Sequence, residues 1–360
     1  MRYRSLYSEW DRPSSAAKGN GGPDLKKNLL MVFGALLLLY LLPLILPRES
    51  AARAEEAAPP LPAYAPLSVS PAKPSAPEEP SEEPQTRSIR LLAGNEVLEL
   101  SLEDYLAGVV AAEMPASFPE EALKAQAVAA RSYALRQIGS GKHPEADLCA
   151  DPGCCQAWRS EEALRESWGE DADEKLSRIR AAVEATAGET LSYRGEPALA
   201  VFHSSSPGRT EDSGQIWNAL PYLVSVSSPE TARDVPGFVS ELRCAPLDFR
   251  DVILSAYPQA DFSGPEEEWI GPAELDAGGR VATQELGGAV IPGSELRGLF
   301  SLRSTAFTLS YEEGAFLFTV TGFGHGVGMS QYGAMVMARD GADYRQILDH
   351  YYPGTDLMKA

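Results

Sequence analysis

The sequence predicts an α+β domain, and three observations from residue 88 onward support this class. Helical and strand-like segments are interspersed without the regular βαβ rhythm of a doubly wound fold. Two amphipathic helical patterns lie close together, at 101–114 and 117–138, and short β-rich segments dominate the second half. No internal repeat is present. We therefore expect mixed helices and short antiparallel strands around a binding groove.

The N-terminal quarter predicts a membrane anchor and a spacer. Residues 1–27 form a polar tail that ends in Lys26 and Lys27, directly before the uncharged, apolar stretch within 28–46. That stretch is nearly long enough to span a bilayer, and the positive-inside rule places the tail in the cytoplasm. A cleaved signal peptide is the alternative, although the apolar segment is long for one. Residues 47–87, rich in Pro, Ala, Glu and Ser, predict an extended linker.

The first folded elements carry clear boundary signals. Residues 88–100 predict a hairpin, with its turn at Ala93–Asn95. Ser101 to Asp104 predicts a capping box that opens a helix, and Pro115 ends that helix. Ser117 is the expected cap of the second helix, which should run to about residue 138.

The later elements are less regular. A third helix is predicted at 171–185, and a last one at 344–351. Strands are expected in five segments, namely 190–194, 198–203, 222–227, 304–310 and 316–321. The segment 230–293 shows no legible pattern, because acidic, Pro and Gly residues interrupt it. A glycine-rich loop at 322–333 leads into another helix.

Charge argues against one class of partner. The 360-residue chain has a formal net charge of −20. Binding to nucleic acid relies on neutralisation of phosphates by Lys and Arg, so the composition argues against it. Recognition of any anionic polymer must then depend on local groups.

Glu113 is the first candidate for chemistry. It follows the small and apolar residues 109–112 and precedes Met114. A carboxyl group in such surroundings loses hydration, which raises its pKa and lets it donate a proton near neutral pH. The alternative is a glutamate that ends a helix and faces water, and spacing alone leaves both open.

Lys124 and Arg131 lie seven residues apart on the second predicted helix, and therefore on the same side of it. They are either part of a solvated face or contacts to a substrate, and their spacing does not decide between these alternatives.

Four residues form a candidate metal site. His143, Cys149, Cys154 and Cys155 offer one imidazole and three thiols, a soft tetrahedral set that suits Zn²⁺. Such a site has no open position, so its role would be structural. A disulfide is the alternative, since the domain is expected outside the cytoplasm.

Two further motifs present polar groups. The glycine-rich loop carries His325, and it is not a dinucleotide loop because no βαβ unit encloses it. His203 and Ser204 end another β-rich segment. No nucleophile elbow accompanies them, so hydrogen bonding to a hydroxyl-rich ligand is favoured over a serine nucleophile.

Together these motifs resemble a known family. They occur in one order: GVVAAEMP (108–115), KAQAVAARSY (124–133), FHSSS (202–206) and GHGVGMSQYG (324–333), followed by YYPG (351–354). From residue 88 to the C-terminus the chain resembles the stage II sporulation protein D family of membrane-anchored peptidoglycan lytic transglycosylases. The amidase enhancer of vegetative cells shares these motifs and is the close rival.

The resemblance implies roles for several residues. Glu113 corresponds to the family's catalytic acid, and Lys124 and Arg131 to positions associated with activity. Some members bind zinc through a His, a Cys and a His-Cys pair. Here that pair is Cys154-Cys155, so Cys154 departs from the pattern.

The resemblance also implies a substrate and partners. The substrate would be denuded peptidoglycan glycan strands, cleaved between N-acetylmuramic acid and N-acetylglucosamine with formation of a 1,6-anhydro end. The expected partners are stage II sporulation proteins P and M, at the septum between mother cell and forespore, with residues 88–356 outside the cytoplasm. Trp217 and Tyr332 are expected to stack on sugar rings. The expected substrate-binding residues are Lys124, Arg131, His203, Ser204, His325, Ser330, Gln331 and Tyr332.

Overall fold

The structure, a computed structural model, describes residues 87–359 and confirms the α+β class. Within this range, no helix is long and apolar enough to cross a bilayer. The predicted tail at 1–27 and transmembrane helix at 28–46 lie outside the described residues. The same is true of the linker at 47–87, apart from its last residue.

Helices occur along the whole described chain, and the longest of them lie in its first half. They are α1 (Leu102–Glu113), α2 (Glu120–Gln137), α3 (Glu161–Trp168), α4 (Ala172–Ala185), α5 (Ser213–Ile216), α6 (Pro246–Ala256), α7 (Gly293–Leu299), α8 (Gln331–Arg339) and α9 (Tyr344–Tyr351). Short 3-10 turns occur at Gly169–Asp171 and Glu266–Glu268.

The strands form several small sheets. They are β1 (Ser88–Ala93), β2 (Glu96–Ser101), β3 (Leu148–Cys149), β4 (Glu189–Tyr193), β5 (Glu196–Pro197), β6 (Phe202–His203), β7 (Val239–Cys244), β8 (Ile270–Leu275), β9 (Val281–Leu286), β10 (Ala289–Pro292), β11 (Phe307–Glu312), β12 (Ala315–Thr321), β13 (Met329–Ser330) and β14 (Asp356–Lys359). The sheet orders are β2-β1-β3, β14-β4-β5, β13-β6, β10-β9-β8 and β11-β12-β7. Most pairs are antiparallel, but β1–β3 and β6–β13 are parallel.

Helices α1, α2 and α4 pack against one another and form one core. Small residues along α2, among them Ala127 and Ala130, are fully buried and permit close approach of its neighbours. Helices α8 and α9 pack against α2 as well. This arrangement places α8 and α9 beside α2, the helix that follows α1 and Glu113 in the chain.

A second core belongs to the segment 239–321, most of which the sequence left unassigned. Phe249 of α6 stacks on Phe316 of β12 with 3.9 Å between the ring centroids, and Trp269 stacks on the same Phe316 at 5.5 Å. The sheets β7-β12-β11 and β8-β9-β10 surround this aromatic cluster. The segment is therefore a folded lobe that lies, in sequence, between the FHSSS motif and the glycine loop.

Several predicted elements are confirmed. The first hairpin pairs from Ser88–Ser101 to Ala93–Glu96, and Gly94 provides its turn with φ of +66°. Ser101 accepts the Asp104 N–H and caps α1 as predicted, but its hydroxyl donates to the Asp104 carboxylate, so the reciprocal bond of a capping box is not formed. The hairpin β11–β12 and the last helix are also confirmed.

Other predictions are wrong. Ser117 does not cap α2, because it lies in the turn closed by the Phe118 N–H on the Pro115 carbonyl, and Pro119 takes the N-cap position. Only Phe202–His203 of the predicted strand 198–203 is a strand. Residues 222–227 form no strand and pair only through an isolated bridge between Arg209 and Ser227. Helix α3 was missed, because its eight residues are mostly charged and polar.

Candidate active site

Glu113 is the last residue of α1, and its side chain is buried. Its exposed fraction is 8%. One carboxylate oxygen accepts the Ala157 N–H at 2.9 Å, and the other accepts the side-chain amide of Gln331 at 3.3 Å. Burial raises the pKa of Glu113 to about 7, although both hydrogen bonds act in the opposite direction. Glu113 can therefore hold a proton at neutral pH and also lose it.

The packing of α1 against residues 156–159 fixes this environment. A Cβ on Gly108 would lie 2.2 Å from Nε1 of Trp158, so only glycine at this position lets the indole lie on the helix. The Tyr105 hydroxyl donates to the Gln156 side chain at 2.8 Å. These contacts hold the backbone beside α1 and aim the Ala157 N–H at Glu113.

Gln331 connects Glu113 to the glycine-rich loop and the FHSSS motif. It is the first residue of α8, whose cap Ser330 accepts the Gly333 N–H at 3.2 Å. Ser330 pairs with His203 in the parallel bridge of β13 and β6, and the Tyr332 N–H donates to the Ser204 carbonyl at 3.0 Å. Residues 203, 204 and 330–332 thus form one assembly next to Glu113.

Within this assembly, His203 and Ser330 make internal hydrogen bonds. The ring of His203 contacts the Val327 carbonyl through Nδ1 at 3.2 Å and the Ser206 hydroxyl through Nε2 at 2.6 Å. Burial lowers the pKa of His203 well below its usual value, so the ring is neutral. The Ser330 hydroxyl donates to buried Glu230. The polar atoms of His203 and Ser330 are therefore engaged in hydrogen bonds within the fold.

His325 and Trp217 form the outer edge of the assembly. The His325 ring lies 5.7 Å from His203 and 5.1 Å from Trp217, measured between centroids. Its Nδ1 accepts the Val327 N–H at 3.1 Å. Burial, followed by the charge of Arg297, lowers the pKa of His325 to about 4. Trp217 is 49% exposed, which leaves a large aromatic face open to a ligand.

Lys124 and Arg131 do not join this assembly in any described contact. Lys124 forms ion pairs with Glu120 at 2.6 Å and Glu121 at 2.9 Å. Arg131 is only 1% exposed, because its guanidinium donates to the Val183 and Thr186 carbonyls at the end of α4 and pairs with Glu103 at 2.7 Å. Arg131 therefore stabilises a helix C-terminus, and its burial does not support the expected contact with substrate.

The four predicted metal ligands converge. Their ligand atoms, from His143, Cys149, Cys154 and Cys155, lie within 4.8 Å of one another. Nε2 of His143 is 3.3 Å from Sγ of Cys155 and 3.7 Å from Sγ of Cys154. A nitrogen and a sulfur bound tetrahedrally to one zinc ion are about 3.6 Å apart, so these separations fit that metal. None of the four cysteines in the described chain forms a disulfide.

Sequence reasoning missed several groups that shape the site. They are the Ala157 N–H, Ser206, Glu211, Glu230 and Arg280. Ser206 belongs to the FHSSS motif, so that motif could have identified it. A backbone N–H carries no sequence signal, and the other three lie outside every motif.

Comparison with known proteins assigns the family. Residues 93–193 match the family model described as Stage II sporulation protein. The chain is 36% identical to Stage II sporulation protein D of Bacillus amyloliquefaciens over 293 residues, 80% of this chain and 82% of the relative. It is also 36% identical to Stage II sporulation protein D of Bacillus subtilis over 272 residues, with 74% and 77% coverage. The chain belongs to the stage II sporulation protein D family.

This family is one of sporulation proteins, and the predicted resemblance is confirmed. The Amidase enhancer of Bacillus subtilis is also similar, with 28% identity over 310 residues, 70% of this chain and 40% of the enhancer. The stage II sporulation protein D assignment rests on the higher identity and on the mutual coverage.

Proposed function

We propose that this protein is a peptidoglycan lytic transglycosylase that cleaves denuded glycan strands during sporulation. The observation that carries the proposal is the pKa of Glu113, which burial raises to about 7. Within residues 87–359, no other carboxylate contributes to that shift. Hydrolysing glycosidases use two carboxylates, whereas a single acid/base group suffices when the sugar supplies its own nucleophile.

In the proposed reaction, protonated Glu113 donates its proton to the glycosidic oxygen between N-acetylmuramic acid and N-acetylglucosamine. The bond from C1 to that oxygen breaks, and the muramoyl 6-hydroxyl oxygen bonds to C1. Ionised Glu113 then takes up the proton of this hydroxyl, so atoms and charge balance without water. Attack within one sugar ring has the advantage of proximity. The Ala157 N–H and Gln331 amide donate to the carboxylate and stabilise its ionised form.

The test uses the full-length protein in detergent and glycan strands freed of stem peptides by an amidase. Mass spectrometry of the products should show 1,6-anhydro-N-acetylmuramic acid ends. Reducing muramic acid ends would show hydrolysis in place of internal attack. An intact glycan after prolonged incubation would refute the proposal.

The pH dependence of cleavage should follow Glu113. The free enzyme must carry the proton, so kcat/KM should be constant at low pH and fall about tenfold per unit above pH 7. Rates measured from pH 4 to 9 at low substrate concentration give this profile. A fall of kcat/KM that begins near pH 4.5, the usual pKa of glutamate, would show that Glu113 is not the acid or is not buried when it reacts.

Trp217 is proposed as a stacking surface for a sugar ring, since half of its side chain is open beside His325. Replacing Trp217 with alanine should raise KM about tenfold, or about 1.4 kcal/mol, and leave kcat little changed. The Trp217→Phe variant should retain most of the affinity. Trp168→Ala is the matched control, because that residue ends α3 and its ring lies under Lys175. Equal KM for Trp217→Ala and wild type would contradict the role.

A second candidate function is a wall-binding module that stimulates a partner amidase without cleaving glycan itself. The similarity to the Amidase enhancer favours it. The two functions predict different outcomes of one experiment. The enzyme generates anhydro ends alone, whereas the enhancer binds glycan without cleavage and accelerates an added amidase.

The zinc site, the membrane anchor and the partner proteins belong to the same proposal. Zinc held by His143, Cys149, Cys154 and Cys155 would supply structural cross-linking, and the protein's own residues perform the chemistry. The single-pass anchor at 28–46 would place the domain at the septal wall. The amidase partner, stage II sporulation protein P, would supply denuded strands, and the membrane protein stage II sporulation protein M would complete the assembly.

A further inference from the structure

Arg280 lies under the glycine-rich loop, although it comes from the second lobe. It is fully buried, between the turn that follows β8 and the first residue of β9. A Cβ on Gly326 would lie 2.6 Å from the guanidinium, and Gly326 has φ of +86°. The loop therefore rests directly on the guanidinium, and a side chain at 326 would separate them.

Arg280 also contacts two other segments. Its Nε lies 3.2 Å from a carboxylate oxygen of Glu211, and both side chains are 1% exposed. This contact is an ion pair without the alignment of a hydrogen bond. The Glu211 N–H donates to the Gly326 carbonyl at 2.8 Å. Arginine, loop and carboxylate thus hold one another in place.

The third contact reaches His203 through Ser206. Nη2 of Arg280 lies 3.3 Å from the Ser206 hydroxyl oxygen, and a guanidinium can only donate. The Ser206 proton is then free to point at Nε2 of His203, 2.6 Å away. The Val327 carbonyl can only accept, so the ring proton of neutral His203 sits on Nδ1 and donates to it, and Nε2 is left to accept from the Ser206 hydroxyl. The relay ends on the backbone of the same glycine loop.

We propose that Arg280 is a positioning residue, which directs the Ser206 hydroxyl proton at Nε2 of His203 and holds the loop that presents His325 beside Trp217. The hydrogen-bond part stands independently of the proposed function, and only the effect on glycan rests on it. The second lobe thereby contributes to the site without supplying a group that touches substrate.

The first test reads the hydrogen bond at Nε2 of His203 directly. Full-length protein labelled with ¹⁵N at its 4 histidines is studied by NMR, with signals assigned through single His→Gln variants. His203 in the wild type should show a protonated Nδ1 and an Nε2 whose chemical shift is that of a hydrogen-bond acceptor. Ser206→Ala removes the donor to Nε2 with a small change in volume, so the Nε2 signal should move toward that of a nitrogen without a hydrogen bond, while Nδ1 stays protonated. Arg280→Met should shift the Nε2 signal in the same direction, and Arg280→Lys should restore the wild-type signal in large part.

Two controls separate positioning from general destabilisation. Ser304 is as buried as Ser206 and donates to the Thr321 carbonyl, so Ser304→Ala should leave the His203 signals unchanged. Arg131→Met removes another buried guanidinium and should also leave them unchanged. An unaltered Nε2 signal of His203 in both Ser206→Ala and Arg280→Met would overturn the proposal.

The second test measures calorimetric binding of denuded glycan strands. Affinity should fall about tenfold in Arg280→Met and recover in Arg280→Lys. Wild-type affinity in an Arg280 variant whose His203 Nε2 signal has changed would overturn the part of the proposal that concerns the loop. If wild-type protein neither binds nor cleaves glycan, the proposed function fails, while the NMR result still decides the role of Arg280.

Discussion

Replacing Glu113 with glutamine should reduce glycan cleavage by about 10²- to 10⁴-fold, because the acid/base group is lost. Glutamine has nearly the same shape, and its carbonyl can still accept the Ala157 N–H. The measurement is the rate of anhydro-end formation by mass spectrometry, with binding followed in parallel. Binding should persist, so that the loss appears in kcat.

Glu120→Gln is the matched control for this variant. Glu120 lies at the start of α2, is exposed and pairs with Lys124, so its replacement should leave cleavage nearly unchanged. Substantial cleavage by Glu113→Gln would show that another group is the acid.

The same substitution should stabilise the fold at high pH. The folded protein binds the Glu113 proton more tightly than the unfolded chain does, since its pKa rises from 4.5 to about 7. The free energy of unfolding therefore does not change with the ionisation of Glu113 below pH 4.5. It falls as pH rises from 4.5 through 7, by about 3 kcal/mol in total. Glutamine avoids this loss. Denaturant unfolding of Glu113→Gln and wild type should give equal stability at pH 4 and a more stable variant at pH 8.

Removing the metal ligands should have the largest effect on stability. Cys149→Ser should abolish stoichiometric zinc and lower the unfolding midpoint by about 10 °C, because structural zinc contributes directly to folding. Metal is measured by mass spectrometry of the purified full-length protein, and unfolding by calorimetry. A chelator should lower the midpoint of the wild type and leave that of Cys149→Ser unchanged.

Cys244→Ser is the control for the metal site. Cys244 lies on β7, outside the cluster, and its replacement should preserve the zinc content. Cleavage should fall with zinc loss, since Ala157 follows Cys155 by two residues and its N–H donates to Glu113. A stoichiometric disulfide in a metal-free wild type would refute the zinc site.

Local chemistry made parts of the site predictable. The apolar run before Glu113 allowed either a buried acid or a helix end that faces water, and in the structure the side chain is buried and its pKa is raised. The cysteine spacing around the turn at 151–153 indicated a four-residue cluster, and the ligand atoms converge. Ser101 and Pro115 fixed the ends of α1, because capping and proline geometry act within a few residues.

Other parts depended on contacts that no local pattern encodes. Arg131 has the charge and length expected of a residue that binds an anionic substrate. Its partners are instead the carbonyls at the end of α4, more than fifty residues away. His203 and Ser330 looked like ligands for hydroxyl groups, yet their polar atoms are used inside the fold. A buried polar group must find partners, and which partners are near is decided by packing.

The sequence by itself therefore determined the α+β class, the family resemblance, the candidate acid Glu113 and the set of candidate metal ligands. Each rests on the spacing of residues within motifs or on the order of those motifs along the chain. Only the tertiary structure decided that Gln331 and Ala157 contact Glu113, and that Arg280 of the second lobe supports the glycine loop. These contacts join residues as much as 218 positions apart, and their geometry follows from how the two cores pack.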